Sequence, residues 1–528
     1  LDGLPDRVPV LATTATANAR VSEDVAEQLG RDALVLRGPL DRESLRLGVV
    51  RLPTPAHRLA WLAAPLDQLP GSGIIYTLTV AATEEVAGFL RDRGHAVAAY
   101  SGRTEGAERE EAEAALLGNR IKALVATSAL GMGFDKPDLG FVVHLGAPPS
   151  PIAYYQQVGR AGRAVRSADV LLLPGVEDEA IWRYFASLAF PPEEQVDRVL
   201  DVLGATDRPL STQALEARVD LRRGRLELML KVLDVDGAVR RVKGGWEATG
   251  QPWRYDADRY ARVAQARAAE AATMREYVTT DTCRLEFLRR QLDDPYAQPC
   301  GRCDSCTGAW FDADVPEAVL AAAQAHLSRP GVEIEPRRLW PTGAATLGVD
   351  LSGKIAPADA AEPGRALGRL SDLGWGSRLR ELISPGASDV DVPEDVFRAV
   401  VQVLASWDWA QRPVAVAAVA SRTRPRLVGS LARRLAQVGR LEFLGELDRV
   451  GGGPPGAGAA SNSVQRLASV HDAFVLPPAL ATALAGLAGP VLLVDDVVDS
   501  GWTMTVAARL VRRAGAPAVL PFALALQA

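Results

Sequence analysis

The stretch YYQQVGRAGR, Tyr154 to Arg163, sets two arginines three positions apart, each directly after a glycine. It closes a run that reads strand, turn, helix, and the spacing predicts Arg160 and Arg163 on one face. Glycines on either side let backbone approach closely, and paired guanidinium groups suit an oxyanion. Upstream and downstream lie short apolar runs: GIIYTL (73–78), AVAAY (96–100), KALVATS (122–128), FVVHLG (141–146) and DVLLLP (169–174). Helical patterns separate them. Apolar runs of this length alternating with helices predict a parallel sheet buried on both faces.

The chain has 528 residues, too many for one core, and predicts about three to four domains. Hydrophobic residues make up 48% and charged residues 23%, ordinary for a globular protein. No apolar run approaches the ~20 residues of a membrane helix and no signal peptide opens the sequence, so no membrane partner and a cytoplasmic location are expected. With a net charge of −6, the chain is not a wholly basic nucleic-acid binder; local patches must carry any such work. The first residue is Leu1, which together with the motifs below suggests a fragment.

Four cysteines occur: Cys283, and Cys300, Cys303 and Cys306 in PCGRCDSCTG. Tight Gly- and Ser-containing turns let neighbouring thiolates converge on one tetrahedral ion, with Cys283 supplied from a predicted helix, TCRLEFLRRQL. Two disulfides or four scattered core thiols are the alternatives. An intracellular chain disfavours the first and three cysteines within seven residues disfavour the second. The expectation is a closed structural zinc site with no open position for catalysis.

Residues 209–249 read helix, turn, helix, hairpin, with Leu226, Met229, Leu230 and Leu233 as an apolar stripe and a turn at Lys243-Gly244-Gly245. That order predicts a winged helix whose exposed face carries Arg222, Arg223, Arg225, Lys231, Arg240, Arg241 and Lys243. DNA-backbone binding with strand separation is the functional reading, and a solvated basic face is its rival. A long helix at about 258–278 leads to the cysteines. Near the C-terminus, VLLVDDVVDSGWT (491–503) predicts an apolar strand, an acidic pair, then a loop opening a helix. The low-complexity loop VGGGPPGAGAASNS begins at Val450.

The ordered set LATTATAN, GIIYTLTVAATEEVAGFL, ALVATSALGMGFDKPDLGFVVHLGAPPS and YYQQVGRAGR resembles superfamily-2 helicases, and within them the RecQ family. The cysteine quartet is similar to the RecQ zinc module. The resemblance implies ATP clamped between two RecA-like lobes, with Arg160 and Arg163 facing the transferring phosphoryl group and Gln156 and Gly159 shaping their loop. It further implies that Thr127 and Ser128 contact the DNA backbone, that Asp135 couples them to the nucleotide, and that Thr14 and Thr16 link the lobes. The sequence departs from the family at Ser101, where relatives carry histidine, and in YTLTVAAT, where they keep a Ser-Arg pair. No G-x4-G-K-[ST] loop for ATP and Mg²⁺ occurs: GVDLSGKI (348–355) lacks the hydroxyl, and DEAI (178–181) follows the arginine motif. The expectation is that a first lobe precedes Leu1 and that this chain alone does not hydrolyse ATP.

VLLVDDVVDSGWT in turn resembles the phosphoribosyl-diphosphate (PRPP) motif of type I phosphoribosyltransferases, and its surroundings are similar to the ComF-like branch. That implies Asp495 and Asp496 on ribose hydroxyls and Mg²⁺, with Asp499, Ser500, Gly501 and Thr503 around the phosphate. Ser421 and Arg422 would lie at the pyrophosphate loop. A transferase and a mere phosphate-binding module remain open. The expected fold class is thus multidomain α/β. Its parts are the tail of a first RecA-like lobe (1–45), a second RecA-like parallel-sheet motor lobe (46–190), a winged helix (191–257), a helical four-cysteine zinc module (258–310), a connecting region (311–395) and a C-terminal phosphoribosyltransferase-like α/β domain (396–528). The expected partners are ATP and single-stranded DNA or duplex junctions, at the bacterial nucleoid.

Overall fold

A computed structural model describes residues 10–14, 18–29, 34–36, 38, 40–130, 134–187, 190–450 and 462–527. The chain forms two compact units, Leu1–Ser187 with Ala261–Ser328, and Leu188–Tyr260 with Arg329–Ala528.

The first unit is built on six parallel strands: β1 (Leu45–Val49), β2 (Gly73–Thr77), β3 (Val97–Tyr100), β4 (Ala123–Ala126), β5 (Phe141–Leu145) and β6 (Ala168–Leu173), in the order β1-β6-β5-β2-β4-β3. Every residue of β2, β4 and β5 is buried, as continuous apolar runs require when helices cover both faces. Several of the crossover helices start where side-chain caps satisfy orphan amides. Thr79 accepts from the Ala82 amide to open Val80–Asp92, and Ser150 accepts from Ile152 and Ala153 to open Pro151–Val158, with proline in the first turn. Gly140 lets β5 enter the sheet, because a Cβ there would lie 1.9 Å from the Pro70 carbonyl oxygen. A buried aromatic column crosses the core: Tyr76 stacks on His144 (5.0 Å between centroids), and His144, Tyr154 and Tyr277 follow at 4.8 and 5.2 Å. Truncating the fully buried Tyr154 to alanine would cost about 3–5 kcal/mol.

The run PVLATTATAN (9–18) reads, from its sequence, as a strand running into a loop. Residues 10–14 instead lie outside any strand and are exposed, Leu11 by 86%. Helix Ala19–Leu29 follows as its amphipathic pattern predicts. Residues 311–395 are shared between the units. Helix Glu317–Leu327 packs on helix Pro55–Ala63 in the first.

In the second unit, helices Thr212–Glu216 and Arg223–Val235 lead to a hairpin of β7 (Val239–Val242) and β8 (Gly245–Ala248). Leu226, Met229, Leu230 and Leu233 are all fully buried, against Val239 and Trp246. The larger sheet comprises β9 (Val332–Ile334), β10 (Gly364–Arg369), β11 (Ala415–Val419), β12 (Glu442–Arg449), β13 (Phe474–Val475), β14 (Val491–Val498) and β15 (Val519–Leu526), ordered β13-β12-β11-β14-β15-β10-β9. Its inner pairs are parallel, and the outermost pair on each side is antiparallel. Alternation on β14 divides two cores, with Val491 and Leu493 in one and Leu492 and Val494 in the other.

Candidate functional site

The arginine motif does not continue its helix. Pro151–Val158 stops at the Gly159 cap, and Gly162 adopts φ +73°, so Arg160 and Arg163 project from an irregular loop rather than one helical face. A Cβ at Gly162 would also come within 2.4 Å of Ser44 Oγ. The loop's backbone is fastened before β5, with the Gly162 amide donating to Leu139 O and Ala164 to Pro137 O. Both arginines then turn to the preceding FDKP segment: Arg160 Nη1 donates to Phe134 O at 3.1 Å, and Arg163 Nη1 to Asp135 Oδ1 at 2.6 Å. Arg160 is half-buried near Tyr76, whose hydroxyl burial pushes up to about 12, with the guanidinium opposing that rise. Arg163 keeps 41% of its side chain exposed and Asp135 57%. The pair therefore sits where an incoming anion can compete for it.

Gln156 is exposed on the helix before the loop. Thr127 and Ser128 follow the carboxyl end of β4; Thr127 Oγ1 accepts from the Ala129 amide, and Ser128 is exposed. Gly131–Gly133 and Thr16 lie outside the described residues, and Thr14 lies in the exposed segment before helix Ala19–Leu29. Two residues that sequence reasoning missed hold the arginine loop from the β1 side. Arg42 Nη2 donates to Gly159 O (2.8 Å) and Ala161 O (3.3 Å), and Ser44 Oγ donates to Gly162 O (2.5 Å). Their partners are carbonyls, which leave no mark in side-chain identity.

All four cysteine sulfurs lie within 4.8 Å of one another, and none forms a disulfide. Cys283 caps helix Arg284–Gln291 rather than lying within it. Its Sγ accepts from the Glu286 and Cys300 amides. Cys303 Sγ lies 3.8 Å from Cys283 Sγ and 3.4 Å from Cys306 Sγ. Tetrahedral zinc with bonds of about 2.3 Å would set its sulfurs about 3.8 Å apart, so the cradle fits that ion. Hydrogen bonds from Cys300 and Cys303 hold the Cys283 thiol far below its ordinary range, while Cys283 pushes Cys303 far above it. Ionising all four sulfurs at this spacing would require a cation between them. The module also finishes the edge of the sheet: Asp304 accepts the Val49 amide at 2.9 Å and pairs with buried Arg284 at 2.9 Å.

In the second unit, Asp495 and Asp496 lie inside β14, which runs on to Val498 instead of ending before them. β11 and β14 are adjacent, yet their following helices lead to strands on opposite sides, so their carboxyl ends flank a switch point where open α/β sheets take ligands. Asp496 accepts from Ser421 Oγ at 2.7 Å. Burial, and then the neighbouring Asp496, raise the Asp495 carboxyl well above its usual range. Arg422 is exposed beside Arg449, whose guanidinium is held low by burial and by Arg422, and is opposed by Asp495. Arg449 escaped sequence reading; its position just before the Gly-rich segment was the only signal. Residues 451–461 lie outside the described residues.

Gly501, at φ +79°, caps helix Trp502–Arg513, and Thr503 is half-buried in its first turn. Asp499 pairs with Arg466 and with Arg222 (3.5 Å), while Arg337 donates to Ser500 O. Among the other basic residues, Arg223 pairs with Glu227 (3.0 Å) and Arg240 with Glu247 (2.5 Å), and Arg241 lies over Trp246. Lys231 and Lys243 are exposed, and Arg225 is half-buried, its guanidinium held low by burial.

No helix among the described residues is long and apolar enough to cross a membrane. Residues 59–165 match the helicase conserved C-terminal domain family. The chain is 34% identical over 192 residues to the ATP-dependent DNA helicase RecQ of Pasteurella multocida, covering 36% of this chain and 30% of that protein. The RecQ of Haemophilus influenzae gives 34% over 197 residues (37% and 31%), and that of Synechocystis sp. 28% over 312 residues (57% and 63%). The chain thus spans between about a third and just under two thirds of the length of these three relatives. Residues 59–165, within the six-stranded unit, are thus similar to the helicase conserved C-terminal domain, and the chain is similar to RecQ-type DNA helicases.

Proposed function

We propose that this chain is the C-terminal portion of a cytoplasmic, RecQ-like, ATP-dependent DNA helicase that unwinds duplex DNA with 3′→5′ polarity in repair or recombination. One observation carries the reading: inside the matched domain, Arg160 and Arg163 emerge from one glycine-rich loop and meet Phe134 and Asp135. In that reading the arginines move from these internal partners to the γ-phosphate of ATP bound, with Mg²⁺, by a Walker-type lobe. There they offset charge developing on the transferring phosphoryl group, a role worth about 10³–10⁵ in rate. Thr127 and Ser128 contact the DNA backbone, and Asp135 reports nucleotide state to them. Zinc at Cys283, Cys300, Cys303 and Cys306 is structural: the thiolates would fill its coordination and leave no site for chemistry. Residues 191–257 act as a winged helix on DNA phosphates through Arg222, Arg223, Arg225, Arg240, Arg241 and Lys243. The full-length gene product is assayed for DNA-stimulated ATP hydrolysis and for unwinding of a 3′-tailed duplex. Absence of stimulated hydrolysis would refute the reading.

We further infer that residues 396–528 adopt a phosphoribosyltransferase-like fold with a sugar-phosphate site at Ser421, Arg422, Asp495, Asp496, Asp499, Ser500, Gly501 and Thr503. Support comes from the position of the carboxylates and Ser421 at the switch point of the seven-stranded sheet. Calorimetry with PRPP and Mg²⁺ tests it; binding that survives Asp495→Asn would count against the site.

A further inference from the structure

The cysteine module and the arginine loop are far apart in sequence, yet an unbroken series of hydrogen bonds joins them inside the first unit. Arg302, between Cys300 and Cys303, bends back so that its Nη1 donates to Cys300 O at 2.9 Å. The rest of its guanidinium grips the start of β1 and the segment leading into it, with Nε on Leu45 O (3.0 Å) and Nη2 on both Arg42 O (2.8 Å) and Asp41 Oδ1 (2.9 Å). Buried Arg289 supports the same carboxylate from 4.0 Å. From that segment Arg42 reaches the other way, to Gly159 O and Ala161 O, and Ser44 reaches Gly162 O. These are the carbonyls on either side of Arg160 and just before Arg163. A single residue thus has its main chain clamped by the cysteine module and its side chain clamped to the arginine loop.

We propose that Arg302 and Arg42 form a relay through which an ion held by the four cysteines fixes the conformation of the loop bearing Arg160 and Arg163. Arg42 is then a positioning residue for those arginines. The Gly162 and Ala164 amides tie the loop to the segment before β5, and Arg42 and Ser44 hold its opposite side, where the ended helix and two glycines would otherwise allow many conformations. Guanidinium bonds to carbonyls are charge-assisted and directional, so three carbonyls held from one side define where the intervening side chains leave the backbone. The consequence for catalysis rests on the helicase reading; the relay itself does not.

Backbone hydrogen exchange on this 528-residue chain, without nucleotide or DNA, tests the relay, with zinc content measured by atomic emission on the same samples. Arg42 touches no cysteine, so Arg42→Ala is expected to keep one zinc per chain. It should raise exchange of amides 160–164 about tenfold, the effect of losing about 1.4 kcal/mol of hydrogen-bond restraint. Arg302→Ala is expected to loosen both 41–45 and 160–164, and Arg42→Lys to restore part of the protection. Protection of 160–164 unchanged in Arg42→Ala would overturn the proposal. So would an Arg302→Ala protein that retains zinc and loosens only 41–45. Failure of stimulated ATP hydrolysis in the full-length wild type would refute the helicase reading while leaving these exchange results intact.

Discussion

Arg163 Nη1 and Asp135 Oδ1 lie 2.6 Å apart, joining the glycine–arginine loop to the FDKP segment across 28 residues of sequence. Both side chains are about half exposed, so the pair contributes little to stability, about 0–1 kcal/mol. Its value lies in position. On the proposed helicase reading, Arg163→Ala should lower DNA-stimulated turnover by about 10³-fold when this chain is assayed with a Walker-type lobe. Melting temperature and DNA affinity should stay near wild type. Asp135→Asn should keep the fold as well, and lower turnover less. Fluorescence anisotropy beside a phosphate-release assay separates these effects, and retained turnover in Arg163→Ala would remove its role at phosphate.

How much of this arrangement the sequence discloses depends on what each residue touches. β2, β4 and β5 are readable because burial on both faces demands unbroken apolar runs. β1 (LRLGV) was not: Arg46 interrupts it, and its outer amide at Val49 is satisfied by Asp304, 255 residues away. The contiguous motif showed that Arg160 and Arg163 belong together, but not that the helix ends at Gly159. Arg42 and Ser44 were invisible, since carbonyl partners impose no sequence pattern. In the second unit, β10 (GRALGR) offers almost no hydrophobic signal; its glycines are needed where Pro521, Trp375 and Asp372 crowd the backbone.

A second expectation concerns pH. Burial raises the Asp178 carboxyl from 3.8 to about 7, against amides of Ala147 and Gly175 that favour the charged form. Its folded form holds the proton more tightly than the unfolded chain. The stability linked to it is therefore present below about pH 4 and lost as pH rises toward 7. His144 runs the other way: burial lowers it from 6.5 to about 4, so its contribution is present above 6.5 and lost as pH falls through 4. Each tenfold change in proton affinity is worth about 1.4 kcal/mol, so the two opposing slopes are of similar size. We expect Asp178→Asn to make first-unit stability rise with pH between 4 and 7, and His144→Phe to make it fall. Urea titrations at several pH values measure both, and parallel profiles for the two variants would contradict the assignment.

Metal removal should act on the first unit beyond the cysteines. Asp304 carries the Val49 amide and the Arg284 guanidinium, and Arg284 also donates to Tyr277 O at 2.6 Å, beneath the aromatic column. If zinc sits among the four sulfurs as proposed, losing it frees Cys303 and with it the loop that sets Asp304. We expect chelation, or Cys303→Ser, to lower the unfolding midpoint of the first unit. Asp304→Ala should cost about 3–5 kcal/mol, because it leaves the buried Arg284 charge unpaired. Near-ultraviolet circular dichroism, reporting on Tyr154 and Tyr277, should lose intensity in step. A chelated protein with an unchanged midpoint would mean that the cysteines hold no structural ion.

The last expectation concerns Arg222 and Asp499, which the sequence assigned to different ligands and the second unit sets 3.5 Å apart. Arg222 immediately precedes helix Arg223–Val235, and Asp499 precedes the Gly501 turn that opens helix Trp502–Arg513. Asn462 strengthens the same junction, its side-chain amide donating to Glu216 O and Val219 O at 2.8 and 2.6 Å. A guanidinium engaged by Asp499 is less available to a DNA phosphate, and the carboxylate adds local repulsion. Asp499→Asn should therefore tighten DNA binding by the chain several-fold. It should also steepen the dependence of log affinity on log salt by about one, the signature of one further phosphate contact. Arg222→Ala should weaken binding and abolish the effect of Asp499→Asn in the double variant. Were the double variant to bind as tightly as Asp499→Asn alone, Arg222 would not be the cation released.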